Sequence, residues 1–445
     1  MTIAEDRAAE DVVGTAISSM GSANGSPTMI PVYRYTSPEF AKVEVEKVFG
    51  KAWLVACSVD HVAEPGEYFE YRAGPYSVLI VRGDDGELRA FQNACRHRGN
   101  LLCEGAGAGL TELRCMYHNW VWDLQGRLRQ VPSRKGFGAL RNDDLPLLPA
   151  QVDTWGRLVF VNLDVNAMSL AEYLEGVPAD AAWIDPDAYR CTRMITTSVP
   201  ANWKVLSEGF SETYHVQGLH SEMLGCIDDI NAGQFLWERH GVSKQRYGVP
   251  SPRLGRNVDP QVVWDSFIVT QGMRLGHDEP CPVPEIPAGR TVQDVIAEGI
   301  RATVAEKGVD LSGYDTEQVT TLNQYNLFPN VTVLYNIESL AVMYALPGGS
   351  VDQATFVVLS FERVPSDDAP RTHPQNATVP GGMAVFGQVI NQDIELLRNA
   401  QRGLQQPGLT HLALSSEECR IINMHRTLER YCGIVPSEMT GGPVR

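Results

Sequence analysis

Cys95-Arg-His97, then seventeen residues, then Cys115-Met-Tyr-His118 is the stretch on which the reading of the whole chain turns. Two thiolates and two imidazoles on paired loops can hold either one zinc ion or a two-iron, two-sulfur cluster. A zinc ribbon commonly uses C-x-x-C pairs, or keeps its cysteines together and its histidines together. Here each loop supplies one cysteine and one histidine. That arrangement suits two irons, with the cysteines on one and neutral histidines on the other. Replacing two thiolates by imidazoles removes negative charge and raises the potential above that of a four-cysteine cluster. Zinc remains the competing occupant, and a chance meeting of surface histidines with core cysteines is the bland alternative. Cys103, between the loops, reads as a small core side chain and not as a fifth ligand.

Around these loops the sequence is β-like. Tyr76-Ser-Val-Leu-Ile-Val-Arg82, Asp84-Asp85-Gly86 and Leu88-Arg-Ala-Phe91 read as a hairpin. Strand-and-turn punctuation recurs at Trp122–Leu128, and Gly156–Leu163 closes the section, so residues 45–165 are expected to form a small β domain. Ahead of it, Ser37-Pro38-Glu39 is a helix start, with a capping serine, proline at the first helical position and an acid in the first turn. Residues 29–44 are assigned to that helix, packing on the later domain, with Phe40, Val43, Val48 and Phe49 lining its buried side. Residues 1–28, rich in Ala, Ser and Gly, read as a mobile arm.

Residues 166–445 carry a mixed pattern. A helical stretch is expected over 203–224, Pro- and Gly-rich loops over about 248–290, strands at 330–337, 340–346 and 355–364, and a last amphipathic helix from near Val385. Strands followed by helices, without βαβ alternation, indicate an α+β fold. Within this part lies a second cluster of ligand-type residues, Glu212-Thr-Tyr-His215-Val-Gln-Gly-Leu-His220. A five-residue step on a regular helix turns the side chain by roughly 140°, so two such rings cannot meet on one metal. A break between them is required, and Gly218 stands where it would help. Histidines on a half-exposed helix, with Tyr214 and Leu219 as core, are the plainer reading.

Cys95-Arg-His-Arg-Gly99 and Cys115-Met-Tyr-His-Asn-Trp120 resemble the two cluster loops of Rieske non-haem iron oxygenase large subunits. Respiratory Rieske proteins usually carry an extra disulfide-forming cysteine in each loop, and neither is present here. The segment 202–220 resembles the iron-binding helix of the same family, and Gln392-Asp393 through Gln401 resembles its closing helix. The resemblance spans roughly residues 33–430. It implies an all-β Rieske domain and a larger α+β helix-grip catalytic domain. It also implies a [2Fe-2S] cluster on Cys95, His97, Cys115 and His118, and a mononuclear Fe(II) on His215, His220 and Asp393. A two-histidine, one-carboxylate triad leaves positions open for dioxygen. For Asp393 the alternative is a first-turn acid favoured by the helix dipole, and Glu395 is its rival ligand. Three departures stand out. Asn119 replaces the usual glycine, for which a local loop adjustment is expected; Gly209 replaces an asparagine; and Glu212 replaces the aspartate that bridges a cluster histidine of one subunit to an iron histidine of the next. Some relatives acting on carnitine-like amines share that glutamate.

The implied activity is an oxygenase fed by NAD(P)H through a reductase, with or without a ferredoxin, that hydroxylates an aromatic or polycyclic substrate. A monooxygenase or N-demethylase of quaternary ammonium compounds is the alternative, and a Rieske electron carrier the third. A cation pocket would display aromatic faces, for which Tyr325, Phe328, Tyr335 and Tyr344 are candidates, each also plausible as strand core. Pocket candidates are Phe210, Met223, Leu224, Ile227, Phe328, Leu334 and Tyr344. The family assembles as a head-to-tail trimer, with or without a small second subunit. The formal charge of −17 argues against nucleic acid or an anionic membrane as partner. No run approaches the roughly 18 apolar residues of a membrane span. Nine unevenly spaced cysteines in 445 residues do not make a disulfide framework, which points to a reducing cytoplasm.

Overall fold

Tyr76–Arg82 is a strand whose Val78-Leu-Ile-Val81 core is fully buried, as a continuous β-branched and aliphatic run requires. It pairs antiparallel with Leu88–Gln92, Arg82 opposite Leu88, and Gly86 takes φ 81° in the turn that a side chain would strain. These strands belong to a seven-stranded sheet in the order 54–58, 158–162, 149–155, 88–92, 76–82, 68–73, 106–107. A separate three-stranded sheet, built from 113–114, 121–122 and 128–130, carries the second of the two Cys/His loops at its edge. Leu79, Phe91, Leu113, Trp122 and Leu128 form the core beneath both cysteines.

This is a computed structural model, and it describes residues 15–16, 27–277, 279–366, 368–381 and 386–434. The expected mobile arm lies outside the described residues apart from 15–16 and 27–28. The chain divides into two compact units. Of the described residues, one unit comprises Lys42–Tyr173 with Arg371–Gln375; the other comprises those up to Ala41, Leu174–Pro370 and those from Asn376 onward. The boundary thus falls inside the helix Pro38–Glu44 and beyond residue 165, and a short return segment joins the first unit.

The second unit is organised by a nine-stranded sheet in the order 15–16, 233–236, 241–246, 321–327, 331–335, 339–347, 354–363, 189–199, 375–379. From 15–16 through 189–199 neighbouring strands run antiparallel, so each alternates its faces. The helices Trp203–Gly209 and Gln388–Leu404 pack on each other. Gly209 is where they come close, because a Cβ there would stand 2.8 Å from the Leu397 side chain.

Several expectations need correction. The stretch 203–224 is not one helix: it is a helix over Trp203–Gly209, a single turn over Val216–Leu219 and a 3-10 turn over Ser221–Met223. The Pro- and Gly-rich segment holds a twelve-residue helix, Pro260–Gln271, started by the Asp259 side chain accepting from the Gln261 N–H with proline at its first position. The helix expected near Val385 runs over Gln388–Leu404 and is not the last, since Cys419–Cys432 follows. The helix assigned to residues 29–44 is instead a strand over Thr28–Pro31 and two short helices, Tyr33–Thr36 and Pro38–Glu44, the second running on as a π-helical turn over Val45–Phe49. Ser37 Oγ does accept from the Phe40 N–H, and Phe40, Val48 and Phe49 are buried, but Val43 is exposed.

Candidate active site

The two Cys/His loops share one backbone design. The Gly99 N–H returns to the Cys95 carbonyl and the Asn119 N–H to the Cys115 carbonyl, each at 2.9 Å. The Cys95 N–H reaches the Asn100 carbonyl at 2.8 Å, and the Cys115 N–H the Trp120 carbonyl at 2.9 Å. Closing both turns this way needs a left-handed residue at the fourth position after cysteine, supplied by Gly99 at φ 75° and Asn119 at φ 55°. Asparagine tolerates that region, so the expected loop adjustment at Asn119 is not needed. Asn93 fixes the base of the first loop, its Oδ1 accepting from the Leu102 N–H and its Nδ2 donating to the Cys103 carbonyl.

Both thiols are buried, and burial raises the Cys95 pKa, as does the facing Cys115 thiol, against N–H donation from His97 and Arg98. The His97 and His118 rings stand 4.6 Å apart between centroids, and His97 stacks on Trp120. Each of these imidazoles holds its Nδ1 buried with no hydrogen-bond partner. Two orphaned imidazole nitrogens and two buried thiols are the donor set that a two-iron cluster takes from a protein. Cys103 is half-buried, and burial pushes its thiol up to about 11, as expected of a packed cysteine.

In the other unit His215, His220 and Asp393 converge, their ligand atoms all within 4.8 Å of one another. Convergence is not achieved through Gly218, which lies within the one-turn helix. His220 leaves the helical region instead, at φ −118° and ψ 46°, and swings its ring back toward His215. Asp393 is buried on the helix Gln388–Leu404, well past its first turn, so a dipole-capping role does not apply; Glu395 is exposed. Asp393 Oδ1 lies 2.9 Å from His220 Nε2 and 3.7 Å from His215 Nε2.

The protons in this cluster can be assigned from its partners. Glu212 Oε1 sits 2.6 Å from His215 Nδ1, and a carboxylate only accepts, so Nδ1 carries the proton. Gln392 Nε2 donates to Glu222 Oε1, leaving its Oε1 to accept from His220 Nδ1 at 2.9 Å. Both Nε2 lone pairs are then turned toward the Asp393 carboxylate, three acceptors facing one another in a buried pocket. Only a cation, or added protons, reconciles them, and the set fits a divalent iron. Burial disfavours the charged His215 ring, but the hydrogen bond and charge of Glu212, with Asp393, outweigh it and raise its pKa. Glu212 also accepts the His215 backbone N–H through Oε2 at 3.0 Å.

Gln392 and Glu222 are contacts that the motifs did not single out. Of the pocket candidates, Phe210, Met223, Leu224, Ile227, Phe328 and Tyr344 are buried and Leu334 is half-buried. Three of the cation-pocket candidates, Tyr325, Tyr335 and Tyr344, are buried on strands, Tyr325 packing edge-on against Tyr335 and donating to Asp180, while Phe328 lies in the turn after Thr321–Leu327. A small cleft lined by Ser207, Ser211, Arg420 and Phe328 includes none of the three metal-type ligands.

A model of the ring hydroxylating alpha subunit catalytic domain matches residues 181–434, and a Rieske [2Fe-2S] domain model matches residues 52–149. The carnitine monooxygenase oxygenase subunit of Escherichia coli K12 is 30% identical over 225 residues, 50% of this chain and 59% of that protein's length. The corresponding Acinetobacter baumannii subunit is 26% identical over 72% of this chain and 84% of its own. The alpha subunit of biphenyl 2,3-dioxygenase from Rhodococcus jostii is 30% identical over 46% of this chain and 45% of its own. Among solved structures, a quaternary ammonium Rieske monooxygenase with L-carnitine bound aligns at TM-score 0.65 and 17% identity, covering 91% and 96% of the two chains. Naphthalene 1,2-dioxygenase from a Rhodococcus species aligns at 0.64 and 20%, covering 91% and 94%. Together these fix the fold as a Rieske domain with an α+β catalytic domain.

Proposed function

Because the chain belongs to the ring hydroxylating alpha subunit family, we propose that it is the oxygenase component of a multicomponent Rieske system. The observation that carries this reading is the meeting of His215, His220 and Asp393, from two separate helical segments, with every free Nε2 lone pair aimed at one carboxylate. Cys95, Cys115 and the inward Nδ1 atoms of His97 and His118 would hold the two-iron cluster; His215, His220 and Asp393 would hold ferrous iron. Bound there, the cluster supplies single electrons and the ferrous iron supplies open positions at which dioxygen is activated.

The chain's own residues prepare that chemistry. Glu212 and Gln392 keep the Nδ1 protons of the two histidines occupied, which fixes ring orientation and makes each Nε2 a better ligand. A carboxylate has about four lone-pair positions, and the described contacts of Glu212 fill two, both from His215. Room remains for an N–H from a cluster histidine of a neighbouring subunit, which is the bridging role assigned to Glu212 in a head-to-tail trimer. Electrons originate from NAD(P)H through a reductase, with or without a ferredoxin. No helix among the described residues is long and apolar enough to cross a membrane. A reducing cytoplasm is the compartment this reading assigns, supported by nine unevenly spaced cysteines in 445 residues that do not form a disulfide framework.

Two substrate classes follow, aromatic or polycyclic compounds and quaternary ammonium compounds. The second is favoured by Glu212 and by the carnitine monooxygenase subunits among the relatives. The test is metal analysis together with oxygen-dependent product formation, using a surrogate reductase and a panel of arenes, steroids and betaines. Three irons per chain, no zinc, and a hydroxylated or demethylated product are expected. Zinc at Cys95–His118, or cluster reduction with no mononuclear iron, would leave only an electron carrier or a structural module.

A further inference from the structure

Glu212 and His215 lie on a segment, residues 210–215, that belongs to neither flanking helix. Backbone that forgoes helical hydrogen bonds while buried must anchor its carbonyls elsewhere. Here the anchors are side chains. The Phe210 carbonyl accepts from Gln324 Nε2 at 2.5 Å and Asn326 Nδ2 at 3.0 Å, with Thr332 Oγ1 at 3.3 Å. The next carbonyl, Ser211, accepts from Arg420 Nε at 2.8 Å. Arg420, 3% exposed, comes from the helix Cys419–Cys432, and its Nη2 reaches Gln324 Oε1 at 3.4 Å. The same helix sends His425 to Glu208, at 2.9 Å, on the other side of the break.

Burying a guanidinium against a backbone carbonyl and an amide is expensive, and an apolar side chain of similar volume would fill the space at lower cost. Desolvation accordingly pulls the Arg420 pKa down to about 10, with the Cys419 and Glu212 charges opposing it. Arg420 therefore sits within electrostatic reach of Glu212 and is bonded to the residue immediately before it. We propose that Arg420 is a positioning residue for Glu212: by holding the Ser211 carbonyl and placing a fixed positive charge behind the segment, it sets the direction in which the Glu212 carboxylate is presented. This rests on the reading of Glu212 as the link between the two metal centres.

The experiment compares Arg420→Met, Arg420→Gln and Arg420→Lys with Glu212→Gln in the iron-loaded enzyme. Three quantities are read: iron content, the electron paramagnetic resonance spectrum of the mononuclear iron with nitric oxide bound, and single-turnover oxidation of the pre-reduced cluster. Arg420→Met and Arg420→Gln should keep both metals, alter the nitric oxide spectrum and slow cluster oxidation about tenfold, the scale of losses from residues behind metal ligands. Arg420→Lys should restore much of the rate. Should Arg420→Met not fold, Arg420→Gln carries the same expectation. A lowered melting temperature with wild-type rate and spectrum makes Arg420 a structural brace only and overturns the proposal. If Glu212→Gln itself oxidises its cluster at the wild-type rate, the linking role of Glu212 is what fails.

Discussion

Replacing Glu212 by glutamine tests the connecting role proposed for it, as distinct from that of a ligand. Both Glu212 oxygens serve His215, Oε1 at its ring N–H and Oε2 at its backbone N–H. Glutamine keeps the length but offers one carbonyl oxygen and one NH₂ group, so one of those two donors must face another donor. The surviving bond also loses its charge assistance. Hydrogen bonds to charged groups contribute about 1.5–3 kcal/mol against about 0.5–1.5 for neutral ones. Weakening one by about 1–1.5 kcal/mol and losing the other at about 1.5–3 kcal/mol removes roughly 2.5–4.5 kcal/mol of local hydrogen bonding. The loss expected in rate is the roughly ten- to a hundredfold that follows removal of a partner behind a metal ligand, so about 1.4–2.7 kcal/mol of it is felt in the electron-transfer geometry. The three proposed iron ligands, His215, His220 and Asp393, are untouched, so Glu212→Gln should retain near-normal iron and cluster content. The measurement is single-turnover oxidation of the pre-reduced cluster with substrate and oxygen present. Glu212→Asp tests reach in place of charge: one methylene shorter, it should be impaired, but less than Gln. A Glu212→Gln enzyme that oxidises its cluster as fast as wild type would refute the reasoning and leave Glu212 as the acid that caps the His215 turn.

Cys95→Ser or His118→Ala should abolish the visible absorption of the cluster while iron still loads at the mononuclear site; a persistent two-iron spectrum in either variant would show that the ligands are misassigned. Asp393→Ala should lose mononuclear iron and turnover but keep a reducible cluster, measured by iron content against absorbance. Normal iron in that variant would transfer the role to another group, which the exposed Glu395 is badly placed to take. Gln392→Leu leaves the His220 Nδ1 proton without its acceptor, and iron affinity, read by competition with a chelator, should fall roughly ten- to a hundredfold. Unchanged affinity would mean that His220 is oriented by packing alone.

The cluster loops were legible because their ligand types recur at short fixed spacing, and a loop of four or five residues allows few arrangements of a cysteine and a histidine. The mononuclear site was legible only in part. Its histidines announce themselves, but Asp393 lies some 170 residues on, and no periodicity links it to them; the family resemblance pointed to it. The break between the two histidines does not fall where the glycine suggests. Glycine marks where a chain bends easily, yet Gly218 stays in the helical turn and the bend falls at His220, whose ring is drawn toward its partners. The helix Pro260–Gln271 was hidden by averaging over a Pro- and Gly-rich window, although Asp259-Pro260 is itself a start signal.

Residues read as departures from a pattern turn out to follow from what the backbone or a neighbour demands. Asn119 stands where glycine is usual because the turn needs a positive φ, and asparagine can adopt it. Gly209 stands where a larger residue is common because Leu397 fills the space its side chain would occupy. The same logic explains why Gln324, Asn326, Thr332 and Arg420 escaped notice: their partners are the carbonyls of Phe210 and Ser211, and a backbone acceptor leaves no mark in the sequence. Motifs report the side chains that meet a metal. The donors that hold an irregular backbone in place are visible only once the fold has brought distant strands and the C-terminal helix to the same two carbonyls.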